Sequence, residues 1–291
     1  MKSLSGRNRA FPDIGRTSAG YGKLRYRKGE ENEDWIYWMR KYGERHDAWD
    51  PGFREVLMAS DTQEKARQAR KEEMGILITA DNKEVAAFAD ILFLAVKPQY
   101  YRSVIREIRD SLSMDQIIVT IAPGKTIGWL EAEFGKPLKI VRTMPNTPAM
   151  VKEGMMGMCP NPNVTAQDME TVRDICSGFS RTEIIPENLM DVVTAVSGSS
   201  PAYVFLFIEA MADAAVADGM PRAQAYTFAA QAVLGSAKMV LETGKHPGEL
   251  KDMVCSPGGT TIEAVRVLEE KGLRSAVIEA MKACVKKSGG M

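Results

Sequence analysis

Three stretches of this chain gather residues that could handle a small charged molecule. The first is Lys251-Asp-Met-Val-Cys-Ser-Pro-Gly-Gly-Thr-Thr-Ile-Glu-Ala264. Pro257-Gly258-Gly259 predicts a tight turn that opens a helix through Thr260 and Thr261. Glycine lets backbone come close to a ligand, and the free N–H groups of a helix start suit an anion such as a carboxylate. A plain capped turn has the same composition. The second stretch, Arg142-Thr-Met-Pro-Asn-Thr-Pro148, leaves an apolar run for a loop with two prolines. The third, Ala195-Val-Ser-Gly-Ser-Ser-Pro-Ala-Tyr203, is a hydroxyl-rich lead into a long apolar run. An N-cap cluster with small residues for close packing explains it better than direct catalysis does.

Other chemistries are thinly provided for. His46 and His246 are the whole histidine supply. Cys159, Cys176, Cys255 and Cys284 stand far apart without a CxxC spacing, which excludes a disulfide framework and a zinc site and suits a reducing compartment. Lysine plus arginine equals aspartate plus glutamate, 38 each, so no global field recruits nucleic acid or a membrane surface. No apolar run is expected to reach the ~20 residues of a membrane span, and no signal peptide heads the chain. The expectation is a cytoplasmic enzyme.

The elements that must position these residues are legible from Ala59 onward. Thr62–Met74, Asn82–Ala89, Tyr101–Ser111 and Ile127–Phe134 read as helices. Between them lie the short apolar run Gly75–Thr79 and the buried-strand patterns 90–96, Gln116–Ile121 and Leu138–Thr143. Strands alternating with helices in units of about 25 residues imply a doubly wound parallel sheet, whose ligands sit outside the strands' carboxyl ends. Ala95-Val-Lys-Pro98 and Ile121-Ala-Pro-Gly124 stand at two such ends. After a strand-like Thr182–Ile185 the chain turns helical. Pro201–Asp218 and Arg222–Thr243 are apolar on most faces, and such helices must be buried on all sides. In a chain of this size that means helices interleaved with a second subunit.

Ala95-Val-Lys-Pro, Met144-Pro-Asn-Thr-Pro, Ser197-Gly-Ser-Ser-Pro-Ala-Tyr, His246-Pro-Gly and Ser256-Pro-Gly-Gly-Thr-Thr stand in the order and spacing of pyrroline-5-carboxylate reductases. The chain resembles that family from about Met58 to Lys287, about four-fifths of its length. The resemblance implies a Rossmann-like doubly wound parallel sheet followed by an all-α dimerisation domain. It implies a homodimer, assembled into a larger homo-oligomer, that reduces a cyclic imine carboxylate with NADPH or NADH and uses no metal. Thr261 and Ser256 become the catalytic candidates, Thr261 at the ring nitrogen. Ser256, Gly258, Gly259 and Thr260 would hold the carboxylate, with Glu187 nearby. Cofactor contacts carry over to Asn82, to Ala95, Val96, Lys97 and Pro98, and to Ile121, Ala122 and Pro123. Ser60 and Thr62 fall at the adenosine ribose or its phosphate, and adjacent Asp61 leaves NADPH and NADH both open. Cys255 and Met253 replace residues that are more polar in many relatives.

One part of the family's pattern is missing. A member should begin with a strand running into G-x-G-x-x-G, the phosphate-cradling turn, and this chain has no such motif. Residues 1–57 instead hold only six Leu, Ile or Val residues but three of the four tryptophans, Trp35, Trp38 and Trp49. They read as an aberrant or disordered segment with a short helix over Glu33–Glu44. The expected division is therefore 1–57, then a dinucleotide-binding domain over 58–186 lacking its first strand, then a helical substrate-binding and dimerisation domain over 187–291.

Back-translation explains the gap. Codons for Asn32 through Gly43, read one nucleotide later, permit Met-Lys-Ile-Gly-Phe-Ile-Gly-Cys-Gly-Asn-Met-Gly. The Trp35–Ile36 and Trp38–Met39 junctions force glycine, because tryptophan has a single codon. A purine-rich stretch can encode Lys28-Gly-Glu-Glu31 just upstream, in the manner of a ribosome-binding site. Residues 1–31 then read as translated leader and 32–57 as out of frame. The competing readings are a genuine extension on an inactive pseudoenzyme that keeps the oligomer, a related β-hydroxyacid-type dehydrogenase, and a structural helical scaffold.

Overall fold

The structure, a computed structural model, describes residues 35–41, 55–61 and 63–290. Its first half alternates strand and helix: β1 (Trp35–Lys41), β2 (Glu55–Ser60), α1 (Glu64–Met74), β3 (Leu77–Thr79), α2 (Asn82–Phe88), β4 (Ile91–Ala95), α3 (Tyr101–Ile108), β5 (Ile117–Thr120), α4 (Ile127–Phe134) and β6 (Lys139–Met144). β7 (Gly154–Pro160), α5 (Ala166–Ser177) and β8 (Ser180–Ile184) follow. All eight strands form one sheet in the order β3-β2-β1-β4-β5-β6-β7-β8.

Both faces of the sheet are covered, and the strand sequences show why. Successive side chains of a strand point to opposite faces. Along β4, Leu92 and Leu94 enter a core shared with Val85, Tyr101, Ile105 and Leu130 of α2, α3 and α4. Ile91 and Phe93 enter a second core with Met169, Val172 and Ile175 of α5. A strand that must feed two cores reads as an unbroken apolar run. β2 with β3, β4 with β5, and β5 with β6 are parallel pairs, while β7 is antiparallel to β6.

The first-strand position differs from expectation. The structure makes Trp35–Lys41 a strand, not a helix, and puts it between β2 and β4, so β4 is bonded on both sides. Trp-Ile-Tyr-Trp is the β-branched and aromatic composition that strands favour, and the slot offers two rows of backbone partners. β2 starts at Glu55, so the sheet also reaches back into the segment that the sequence sets apart. Direction is where β1 departs from the doubly wound pattern, because it runs antiparallel to both neighbours. Ile36 pairs with Ser60 and Trp35 with Ala95, so β1 begins at the edge where β2 and β4 end. Lys41 lies opposite Glu55 at the other edge.

From Glu187 the chain is helical. A 3-10 turn (Glu187–Leu189), α6 (Met190–Val193), a π-helical stretch (Thr194–Ser199) and α7 (Ser200–Ala217) form one continuous run. α8 (Arg222–Thr243), α9 (Pro247–Val254), α10 (Thr260–Glu270) and α11 (Leu273–Ser288) complete it. α7 packs along α8, where Ala212, Ala225 and Ala229 are buried. The run Glu187–Ala217 spans 31 residues and contains an 18-residue stretch of mean hydropathy 1.4, long and apolar enough, by length and composition, to cross a membrane. That corrects the expectation that no apolar run reaches span length.

Candidate functional site

The carboxyl ends of the parallel strands form the first part of the site. At the end of β2, the buried Ser60 hydroxyl donates to Asn82 Oδ1 at 2.7 Å, and Asn82 Nδ2 donates to Glu107 at 3.0 Å. Asp61 is buried beside them, its Oδ1 accepting the Gln63 N–H at 2.6 Å and its carbonyl accepting Arg67 Nη1 at 2.7 Å. Thr62, expected next to Ser60, lies outside the described residues.

Two loops meet at the ends of β4 and β5: Ala95, Val96, Lys97 and Pro98 on one, Ile121, Ala122 and Pro123 on the other. Tyr101, which sequence reasoning left out, holds them together. Its side chain is fully buried, and its hydroxyl donates to Leu94 O at 2.5 Å while accepting Ile121 N–H at 3.3 Å. Burial pushes the phenol well above its ordinary range, outweighing the opposing backbone hydrogen bonds at Ile121 and Ala122, so it stays protonated and able to donate. Gly124 has φ 73°, which lets the second loop turn sharply after Pro123.

The second part is the turn between α9 and α10. His246 caps α9, its Nδ1 accepting the Gly248 N–H at 3.0 Å. Gly259 N–H then donates to Ser256 O at 3.0 Å, with Pro257 and positive-φ Gly258 (66°) at the two central positions, as a type II turn requires. Gly259 is the N-cap of α10 and supplies no side-chain cap, so the first N–H groups of that helix face outward without one. Ser256, Gly258 and Thr260 are exposed and Thr261 is half-buried. Met253 at 63% and Val254 at 64% exposure flank them.

Glu187 sits at the start of α4, against Arg142. Its Oε1 accepts Arg142 Nη1 at 2.8 Å and the Ile127 N–H at 2.7 Å, at the start of α4. Among the described residues no hydrogen bond or ion pair joins it to Ser256–Thr261. The carboxylate is satisfied by a guanidinium and a helix N-terminus, both of which favour its charge. The loop after β6 is tied down in a similar way: Asn146 accepts the Met155 N–H at 2.8 Å and donates to Ser197 O at 3.0 Å. Burial pushes the Cys176 thiol up to about 12, and Cys159 is also raised, by burial and then Glu187 against the opposing Arg142.

The described residues fit the nicotinamide end of a dinucleotide and do not fit its pyrophosphate. Antiparallel β1 delivers its amino end to the ligand edge, and among the described residues no glycine turn and no helix N-terminus follows it there.

Comparisons with known proteins agree with this geometry. The family model for pyrroline-5-carboxylate reductase dimerisation matches residues 187–291, and that for NADP oxidoreductase, coenzyme F420-dependent, matches 46–124. The chain is 60% identical over 220 residues to pyrroline-5-carboxylate reductase of Escherichia coli (strain K12), covering 76% of this chain and 82% of that protein. It is similar to the solved Coxiella burnetii pyrroline-5-carboxylate reductase (TM-score 0.75, 35% identity, 79% of this chain and 86% of that one). The Plasmodium falciparum pyrroline carboxylate reductase, solved with NADP bound, is also similar (TM-score 0.69, 38% identity, 74% and 82%). At that identity and coverage, the chain belongs to the pyrroline-5-carboxylate reductase family.

Proposed function

We propose that this protein reduces 1-pyrroline-5-carboxylate to L-proline, the last step of proline biosynthesis, as a cytoplasmic homo-oligomer built from dimers. The observation that carries the reading is the Ser256–Thr261 turn, where helix N–H groups without a side-chain cap and two threonines stand at one exposed helix start. The N–H groups of Thr260 and Thr261 suit the substrate carboxylate, with Ser256 closing the turn beside it. The Thr261 hydroxyl can hydrogen-bond the ring nitrogen as it takes up a proton. Bound reduced nicotinamide supplies the hydride for the imine carbon. Ala95–Pro98 and Ile121–Pro123 would hold that end of the cofactor, and Ser60 with Asn82 its adenosine end. Proximity and orientation carry most of the rate, so a strong base is not required. Thr261→Ala should lower kcat by at least about 100-fold, the low end of a general acid–base contribution, while leaving the melting temperature in place. Wild-type kcat in that variant would remove the role.

The exposed turn, flanked by apolar Met253 and Val254, fits a site closed by a second copy, and the apolar helices fit that copy's interface. The change from sheet to helices supports a division at 186/187, with the sheet unit extended back to take in β1 and β2.

A second reading is favoured by the direction of β1: the chain as written keeps its oligomer and substrate turn but holds NAD(P)H poorly. Codons for Asn32–Gly43, read one nucleotide later, permit a strand that runs into a G-C-G-N-M-G turn. Both versions can be expressed and titrated with NADPH, alongside the nucleotide sequence across codons 28–60. Equal, tight binding by the chain as written would remove the frame-shift account.

A further inference from the structure

The seam between the two halves is built from one strand. β6 carries Arg142, which reaches Glu187, the first residue of the helical run. The loop after β6 carries Asn146, whose amide reaches Ser197 O inside the π-helical stretch. Met144, the last residue of β6, lies so close to Gly198 that a Cβ there would come within 2.8 Å of its terminal methyl. Beneath these contacts Ile127, Cys159 and Met190 form a small core of their own, with Met144 and Ile185 packed against it.

Arg142 also touches the other side of the problem. It pairs in register with Thr120 of β5, one residue before the Ile121–Pro123 loop. Its partner Glu187 takes the Ile127 N–H at the start of the helix that this loop feeds. The Arg142 side chain is only 8% exposed and that of Glu187 33%, so little solvent screens the pair. One ion pair thus joins three things: a central strand, the helix after a cofactor loop, and the entry to the helical half.

We propose that Arg142, acting through Glu187, is a positioning residue that sets the helical half against the cofactor-binding strand ends, and so sets the approach of hydride donor to imine. This rests on the reductase reading above. A pair that served stability alone would be replaceable by apolar residues of similar volume, since exchanging both partners of a buried ion pair for such residues is often neutral or stabilising. A pair that sets an angle would not, because misplacement of about 1 Å can cost on the order of 100-fold in rate.

The test is the double variant Arg142→Met/Glu187→Leu beside Glu187→Gln, which keeps the shape of the carboxylate without its charge. In the double variant, kcat should fall by about 100-fold while the KM for NADPH and the melting temperature stay at wild-type values. With NADPH deuterated at the transferred position, the isotope effect on kcat should rise as hydride transfer becomes limiting. Glu187→Gln should show the same pattern in weaker form, and it serves as the reading if the double variant does not fold. Wild-type kcat in a folded double variant would overturn the proposal, and so would a kcat loss that merely tracks a lower melting temperature. Amide exchange over residues 187–199, read on the same samples, separates the two ideas. Faster exchange in the variant with no turnover in the parent protein would keep the positioning role and remove the reductase reading.

Discussion

Leu92 and Phe205 are both large apolar residues within regular elements, yet Leu92 has no exposed surface and Phe205 is 63% exposed. Each is typical of its half. The sheet half closes two cores over its strands within one chain. In the helical half, Leu206 at 65% and Phe228 at 66% exposure join Phe205 as large apolar residues that the described residues do not cover. Exposed apolar surface on that scale marks an interface. The sheet half therefore draws its stability from its own chain, whereas the helical half is held by a second copy and its stability depends on concentration.

The sharpest way to break that contrast is Phe205→Asp. An interface anchor is worth about 2 kcal/mol or more, and a two-fold interface loses it twice, so about 4 kcal/mol and roughly 1,000-fold in the dimer Kd are expected. Sedimentation should show monomer at micromolar concentration, and an unchanged dimer would refute the division. Leu92→Ala should act only on the sheet half. It costs about 3 kcal/mol by leaving a cavity between β4 and α3, and denaturant melts should show the loss at every protein concentration.

Tyr101→Phe is smaller and sharpens the link to the site. It strips a partner from Ile121 N–H and Leu94 O for about 1–3 kcal/mol, and the KM for NADPH should rise more than that for the imine. Asp168 gives the smallest effect. Burial raises its carboxyl, but hydrogen bonds from Thr165 and Lys139 outweigh that and hold it below its ordinary value. A depressed carboxylate contributes stability above the unfolded value of about 3.9 and loses it as pH falls through the folded one. Asp168→Asn should cost about 1 kcal/mol at neutral pH through the capping box, and urea melts should show that difference shrinking on acidification.

Much of this was legible in the sequence where one physical signal dominated. Ile127–Phe134 and Arg222–Thr243 have the expected bounds, marked by Thr126 and Gly135 at the ends of one and Pro221 and Gly244 at those of the other. The turn at Pro257–Gly259 opens α10 as expected. β7 and α5 were not anticipated. Gly-Met-Met-Gly-Met lacks the β-branched residues that announce a strand, although the Thr165–Asp168 capping box was there to be read. Neither Arg142–Glu187 nor Tyr101–Ile121 leaves a local signature, because 45 and 20 positions separate the partners. Trp35–Lys41 departs from the expected helix because its aromatic and β-branched composition favours a strand.

The π-helical stretch at Thr194–Ser199 has a consequence for insertions and deletions. An α-helix advances about 100° per residue, and a π-turn holds extra residues within that winding. Met190, before it, is 2% exposed against the sheet half, and Phe205, after it, faces away from its own chain. The stretch acts as a phase shifter between two docking directions. Removing one residue from it would leave composition almost intact while turning everything downstream by about 100°. This part of the chain should accept many substitutions and no change of length, and a library of single-codon deletions across 187–217 would map that intolerance.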